Sequence, residues 1–145
     1  MSDRWYSRPV LFVTDVTRSL DFYEKQLGFR QSWRYQEHGE TWIAQVERKD
    51  CELILASPLS FSEQPELRTN DRTGKGLIFI SLDRDELNTT RSELEANGTQ
   101  VRDGKWGYRL MVIADPDGNE LFFPYPADPS EAEGELIRAS SSATT

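Results

Sequence analysis

The sequence predicts an α+β fold made of two copies of one unit, each running strand–helix–strand–strand–strand. A short apolar run followed by an amphipathic helix occurs near residue 10 and again near residue 77. An aspartate precedes each helix, and Asp15 and Asp83 stand 68 residues apart (83 − 15), which indicates an internal repeat. A chain of 145 residues is long enough to place two such units around one core.

The first repeat is predicted over about 8–57. Residues 9–13 are short, apolar and β-branched, as expected of a buried strand. A helix follows, which Asp15 or Thr17 can cap and Gly28 can end. Its apolar face is formed by residues at helical spacing: Val16, Leu20, Tyr23 and Leu27. Strands are then predicted at about 29–36, 41–47 and 51–57, with turns at His38–Gly39 and Lys49–Asp50.

The second repeat is predicted over about 76–126, after a polar linker at 58–75. Its elements are a buried strand at 76–82, a helix at 84–97, and strands near 99–103, 107–114 and 119–126. The run Asp115–Asn119 predicts a tight turn, because its Pro fixes φ and its Gly-Asn pair accepts positive φ. Both repeats form one domain, 1–126, followed by an acidic and then Ser/Ala-rich tail at 127–145.

Composition and charge exclude several classes of function. One Cys allows no intrachain disulfide, and one His excludes sites that need two or three histidines from a single chain. The net charge of -8 argues against a nucleic-acid partner and is compatible with a cationic ligand. The sequence has neither an apolar run of about 18 residues nor an apolar N-terminal signal, so we expect a cytoplasmic protein with no membrane segment.

Two stretches of the sequence resemble a known family. PVLFVTDVTRSLDFYEKQLGF at 9–29 and YRLMVIADPDGNELFFPYP at 108–126 are similar to the signatures of the vicinal oxygen chelate superfamily. This group includes glyoxalase I, extradiol dioxygenases, and fosfomycin- and bleomycin-resistance proteins. The resemblance covers residues 8–126. It implies a curved mixed-sheet half-barrel made by the two βαβββ units, with the helices outside and the site in the inner cleft.

The resemblance also assigns four positions to a metal in the enzymes of this superfamily. In this sequence they are Arg8, Glu52, Leu77 and Phe122. Glu52 alone carries a usable donor, because Arg8 stays protonated and the other two side chains have no donor atoms. We therefore predict no metal, no other cofactor and no catalytic residues.

Side chains that point into the cleft are predicted to bind a ligand instead. If the four metal positions point inward, period-2 alternation brings Phe12 and Phe79 with them. Adding aromatics of the outer strands gives these predicted ligand contacts: Arg8, Phe12, Glu52, Leu77, Phe79, Phe122, Trp33, Trp42, Trp106 and Tyr108. Three alternatives stay open: that Arg8 and Glu52 form a structural ion pair, that the phenylalanines fill a closed core, and that the outer aromatics only pack on the sheet.

Two residues that often take part in catalysis are predicted to have no such role. His38 lies between Glu37 and Gly39 in a predicted hairpin turn, where a solvated side chain is expected. Cys51 alternates away from Glu52, so we expect a buried, inert thiol.

The leading functional hypothesis is a metal-free binding protein resembling the bleomycin-resistance members. The resemblance implies a homodimer that sequesters a flat aromatic, cationic small molecule and protects by mass action. The alternatives are a metal-dependent lyase or dioxygenase of the glyoxalase or extradiol type, and a non-catalytic interaction scaffold with a filled cleft.

Overall fold

The computed structural model describes residues 5–61, 71–107, 109–126 and 137. The first unit contains β1 (Val10–Phe12), α1 (Val16–Lys25), β2 (Arg30–Glu37), β3 (Glu40–Arg48) and β4 (Cys51–Ala56). The second contains β5 (Leu77–Phe79), α2 (Arg84–Ala96), β6 (Arg102–Lys105), β7 (Arg109–Ala114) and β8 (Glu120–Pro124). The predicted α+β fold with two strand–helix–strand–strand–strand repeats is confirmed.

Each unit forms one four-stranded mixed sheet within the described residues. The strand order is β1-β4-β3-β2 in the first sheet and β5-β8-β7-β6 in the second. In both sheets the first strand pairs in parallel with the last, and the remaining pairs are antiparallel. Parallel neighbours require a crossover connection, and in each unit this connection begins with the helix. These strands form two open sheets rather than a closed barrel.

Aspartates cap both helices, as the repeat predicts. The Asp15 side chain accepts a hydrogen bond from the backbone N–H of Arg18, and Asp83 accepts one from that of Glu86. Of the two residues that could cap the start of α1, Asp15 and Thr17, it is therefore Asp15 that does so. Gly28 follows α1 at φ +72°, a left-handed conformation in which side chains are strained.

One hydrophobic core joins the two units. Leu11, Leu53 and Leu55 of the first sheet pack with Ile78 and Leu121 of the second. Both helices contribute to the same core, through residues that include Leu20, Tyr23, Leu87 and Leu94. The face of each sheet that carries these residues is therefore the helix side, and the opposite face is here called the inner face.

The two sheets meet along a seam, where β1 lies beside the residues that lead into β5. At one end of the seam, the carbonyl of Phe12 accepts hydrogen bonds from the backbone N–H of Gly74 (3.1 Å) and from Asn119 Nδ2 (3.1 Å). Gly76 packs so closely there that a Cβ atom would lie 2.4 Å from Leu11 Cδ2. The turn Asp115–Asn119 closes this end of the seam.

Asp115 and Asn119 are buried, and their side chains are fixed by further hydrogen bonds. Asn119 Oδ1 accepts from the backbone N–H of Gly76 at 2.7 Å. Asp115 Oδ2 accepts from Tyr23 Oη at 3.0 Å and from Asn119 Nδ2 at 2.9 Å. Burial, and then the charge of Asp115, raise the pKa of Tyr23 well above its ordinary value. The predicted tight turn thus also holds the units together.

The remaining differences from the predicted elements are local. A single-turn 3-10 helix at Pro58–Phe61 begins the segment predicted as a linker, and β6 starts three residues later than 99. Most of the predicted linker, 62–70, and the predicted tail, apart from residue 137, lie outside the described residues. None of the described helices is long and apolar enough to cross a membrane.

Candidate ligand-binding site on the inner sheet faces

Strand register fixes which residues share the inner face of the first sheet. Val10 pairs with Ile54, Ile54 with Gln45, and Gln45 with Trp33, so these four side chains form one row across the sheet. Their chain neighbours Leu11, Leu55, Ala44 and Val46 belong to the core on the other side. The row therefore faces away from the helices.

A hydrogen-bonded polar network centred on Gln45 occupies this face. Gln45 Oε1 accepts from Arg8 Nη1 at 2.6 Å and from Trp33 Nε1 at 3.0 Å. Gln45 Nε2 donates to Glu52 Oε1 at 2.9 Å, and the Tyr6 hydroxyl donates to Glu52 Oε2. Every polar atom of the Gln45 side chain has a partner, although the residue is only 4% exposed. Such a network holds its charged members in fixed positions.

Arg8 and Glu52 do not pair directly. Gln45 lies between them, and the Arg8 guanidinium instead lies 5.4 Å from the centre of the Tyr6 ring. Among the described residues, Glu52 has no cationic partner, because both of its hydrogen bonds come from neutral donors. The site therefore presents one cation and one carboxylate whose charges are not cancelled by direct contact.

Gln45 and Tyr6 are the two members of this network that sequence reasoning missed. Gln45 could have been found, because a polar side chain in the run WIAQV, at a position that alternates with buried residues, needs a partner. Tyr6 precedes the first strand and belongs to no element, so no pattern placed it at the site.

An aromatic cluster occupies the inner face of the second sheet. Phe79 pairs with Phe122 across β5 and β8. Trp106, in the turn between β6 and β7, packs edge-on against both rings, with centroid distances of 5.8 Å to Phe79 and 6.2 Å to Phe122. Trp106 is 59% exposed and Phe79 40% exposed. This cluster is a solvent-facing aromatic surface, not a filled core.

Of the other predicted ligand contacts, some lie on the inner faces and some do not. Leu77 lies on the inner face beside Glu120 and is half exposed, whereas Phe12 is buried on the first sheet's inner face. Trp42 does not join them, because it alternates with Ile43 and shares the helix side of β3 with Ala44. Tyr108 lies outside the described residues.

His38 lies away from both clusters, and Cys51 packs against the core on the opposite face of β4 from Glu52. His38 is in the β2–β3 turn at φ +53° with its side chain 90% exposed, as predicted for a solvated turn residue. Cys51 is half-buried rather than fully buried, and burial raises the pKa of its thiol above the ordinary value.

The donor set does not fit a divalent metal. Of the four positions that the resemblance assigns to a metal, Glu52 alone has carboxylate oxygens, and both are already hydrogen-bonded. No group of three or more His, Cys, Asp or Glu that could hold a metal ion occurs among the described residues. Leu77 and Phe122 add only carbon surface, so we derive no metal-dependent step.

A protein-family model matches most of the chain, including the residues of this site. The model is that of the Glyoxalase/Bleomycin resistance protein/Dioxygenase superfamily, and it matches residues 5–123. None of the curated proteins compared with the chain matches it significantly.

Solved structures with the same fold include both binding proteins and enzymes. TnmS3, an antibiotic binding protein from Streptomyces sp. CB03234, is 22% identical with a TM-score of 0.61, over 88% of this chain and 100% of that one. A glyoxalase/bleomycin resistance protein/dioxygenase from Nocardioides is 21% identical with a TM-score of 0.63, over 94% and 93%. Lactoylglutathione lyase from Agrobacterium tumefaciens is 19% identical with a TM-score of 0.62, over 86% and 96%. At these identities the similarities establish the fold.

Proposed function

The chain belongs to the glyoxalase/bleomycin resistance protein/dioxygenase superfamily, and we propose that it binds a flat, cationic aromatic small molecule without a metal. The observation that carries this proposal is the exposed aromatic cluster of Phe79, Trp106 and Phe122 on the inner face. The protein sequesters this ligand and does not transform it. A fold shared with TnmS3, an antibiotic binding protein, is consistent with this role.

The aromatic cluster suits a flat ligand because of how its rings are arranged. Trp106 meets its two neighbours edge-on, at interplanar angles of 63° and 68°, so the rings present surfaces in more than one orientation. An aromatic ligand that covers them gains both buried apolar area and favourable ring–ring contacts.

The polar network supplies the charge selectivity. Glu52 keeps its carboxylate in place through two neutral donors, so that a ligand cation can pair with it. Because Gln45 fixes Glu52, little side-chain freedom is lost when the ligand binds. The net charge of -8 attracts a cationic ligand to the protein as a whole.

We further propose that the protein is a homodimer that completes the ligand site. Trp33 and Tyr35 on the inner face of the first sheet are 41% and 51% exposed, and Trp106 is 59% exposed on the second. Burial of these surfaces by a second copy would enclose the ligand, which is how small-molecule sites normally exclude water. Sedimentation equilibrium in the micromolar range tests this, and a strictly monomeric chain contradicts it.

Fluorescence titration with bleomycin and with the planar dyes ethidium and proflavine tests the ligand proposal. We expect at least one of them to quench tryptophan emission saturably and to raise the melting temperature. Replacing Trp106 with Ala should weaken binding at least about tenfold, since the loss of about 1 kcal/mol of ring–ring interaction adds to the loss of buried apolar area. Trp42→Phe is the matched control, because Trp42 lies on the helix side. The affinity of this variant for the same ligands should stay unchanged.

Two further measurements test the charge of the ligand and the metal content of the protein. Glu52→Gln should weaken binding of the cationic dyes about tenfold but leave a neutral aromatic analogue unaffected. Absence of saturable binding across the panel overturns the proposal, as does unchanged affinity in Trp106→Ala. Stoichiometric zinc, manganese or iron in protein purified without chelator would instead support the metal-dependent enzyme.

A further inference from the structure

We propose a second binding site, for a small uncharged apolar molecule, in a cavity at the open end of the seam between the two units. The cavity has a volume of about 490 Å³ and lies between the start of β1 and β4 on one side and the end of β5 and α2 on the other. Its lining includes core residues of the helix side, such as Leu53 and Ile78, and it also reaches Glu52 and Phe79 of the inner-face site. The two proposed sites are therefore neighbours, and Trp106, which does not line the cavity, distinguishes them.

The cavity exists because one turn is shorter than its counterpart. At the closed end, Asp115–Asn119 crosses the seam and fills it with the Asn119 side chain. At the open end, only Lys49 and Asp50 join β3 to β4, and this shorter turn leaves the seam open. The turn of the second unit therefore fills its end of the seam, whereas the equivalent space beside the turn of the first unit is vacant.

Apolar side chains from both units contribute much of the cavity wall: Leu27, Phe29, Leu53, Ile78, Leu94 and Phe123. Polar and charged residues, among them Thr90, Ser81 and Glu52, complete it. An apolar cavity of about 150 Å³ already accepts a benzene ring, so this one is large enough for an eight-carbon chain. The half-buried thiol of Cys51 is also part of the wall.

The charges around the opening disfavour an anionic occupant, and the apolar side chains of the wall favour an uncharged one. Each cation at the rim is paired with a glutamate of α2: Arg48 Nη2 lies 3.2 Å from Glu93 and Lys49 Nζ 2.9 Å from Glu86. Asp50 is a further carboxylate at the rim. Among the described residues, each cation at the rim is therefore already paired, and a carboxylate ligand would meet repulsion from Asp50.

Protection of Cys51 from modification provides the test, since it is the only thiol in the sequence. The rate of reaction with 4,4′-dithiodipyridine is measured with and without octan-1-ol or octanoate. We expect octan-1-ol to slow the reaction saturably by about fivefold or more, and octanoate to have little effect at the same concentration.

Variants that fill the cavity separate binding in it from general solvent effects. Ser81→Phe places a ring at the opening from an exposed position outside any strand or helix, and should abolish the protection. If Ser81→Phe fails to fold, Ser7→Phe serves in its place, because it also fills the opening, from the opposite wall. Ser92→Phe, at an exposed site on α2 away from the cavity, is the matched control and should retain it.

The outcomes distinguish this proposal from the ligand site on the inner face. Trp106→Ala should lose dye binding but keep the protection of Cys51 by octan-1-ol. Absence of protection in the wild type overturns the cavity proposal, as does equal protection in Ser81→Phe and Ser7→Phe. Protection by octanoate as strong as that by octan-1-ol also overturns it.

Discussion

The two ends of the seam between the units differ, although both units have the same topology. The closed end is crossed by the turn Asp115–Asn119, whose buried Asn119 side chain donates to the Phe12 carbonyl of the first unit and whose buried Asp115 accepts from Tyr23. The open end has the two-residue turn Lys49–Asp50, and the described contacts across its rim include exposed ion pairs to α2. The two ends therefore differ in turn length and in how deeply the contacts across them are buried.

The largest effect is expected from removing the side chain that closes the seam. Asn119→Leu leaves the backbone N–H of Gly76 and the carbonyl of Phe12 with fewer partners in a buried environment. We expect a loss of about 3 kcal/mol in the free energy of unfolding, because each buried unsatisfied group costs about 1–3 kcal/mol. Urea denaturation measures this. The control Asn88→Leu lies on the exposed face of α2 and should change stability far less; equal losses would remove the special role of the closed end.

A smaller effect is expected at the tyrosine that supports this turn. Tyr23→Phe deletes the hydrogen bond to Asp115 Oδ2 and should cost about 1–2 kcal/mol, as expected for a bond to a charged acceptor. Asn119 still donates to the same oxygen, which limits the loss.

The pH dependence of stability sharpens this prediction. Burial, then Asp115, raise the folded-state pKa of Tyr23, so its contribution is fully present below the unfolded pKa of about 10. The contribution is lost as pH rises from there toward the folded pKa, because the unfolded chain ionises first. Wild type should therefore lose more stability than Tyr23→Phe between neutral pH and the most alkaline pH at which both still fold. Parallel pH profiles of the two proteins would contradict the buried hydrogen bond.

The smallest effect is expected at the open end. Glu86→Gln and Glu93→Gln remove the partners of Lys49 and Arg48, which are exposed enough for solvent to screen the pairs. Each should cost less than about 0.5 kcal/mol and nothing measurable in 1 M salt. A loss comparable to that of Asn119→Leu would mean that the rim, too, holds the units together.

Local sequence signals predicted the elements well because each has a short-range physical cause. Asp15 and Asp83 cap their helices, and His38–Gly39 adopts the positive φ values that its hairpin requires. Strand alternation correctly assigned Phe79 and Phe122 to the inner face, since side-chain direction follows from the pleat. Trp42, predicted as a ligand contact, lies on the helix side of β3, because an aromatic residue gives no sign of its face until the register is known.

The contacts between elements could not be predicted in the same way. The alternative that Arg8 pairs directly with Glu52 is not realised, because Gln45 on β3 bridges the two side chains. Trp106 was predicted to be a contact, but its packing on Phe79 and Phe122 depends on how the β6–β7 turn bends over the sheet. Such pairings join residues that are distant in sequence, and no periodicity encodes them.

The sequence by itself determined the repeat, the order of the elements, the side of each sheet that is apolar, and the absence of a usable donor set at three of the four expected metal positions. Those properties depend on residue type and short-range spacing alone. The tertiary structure decided that Gln45 orders the charged side chains, that the aromatic cluster faces solvent, and that the seam is closed at one end and open at the other. These features depend on how two units of unequal turn length pack together, which is set by the sum of many long-range contacts.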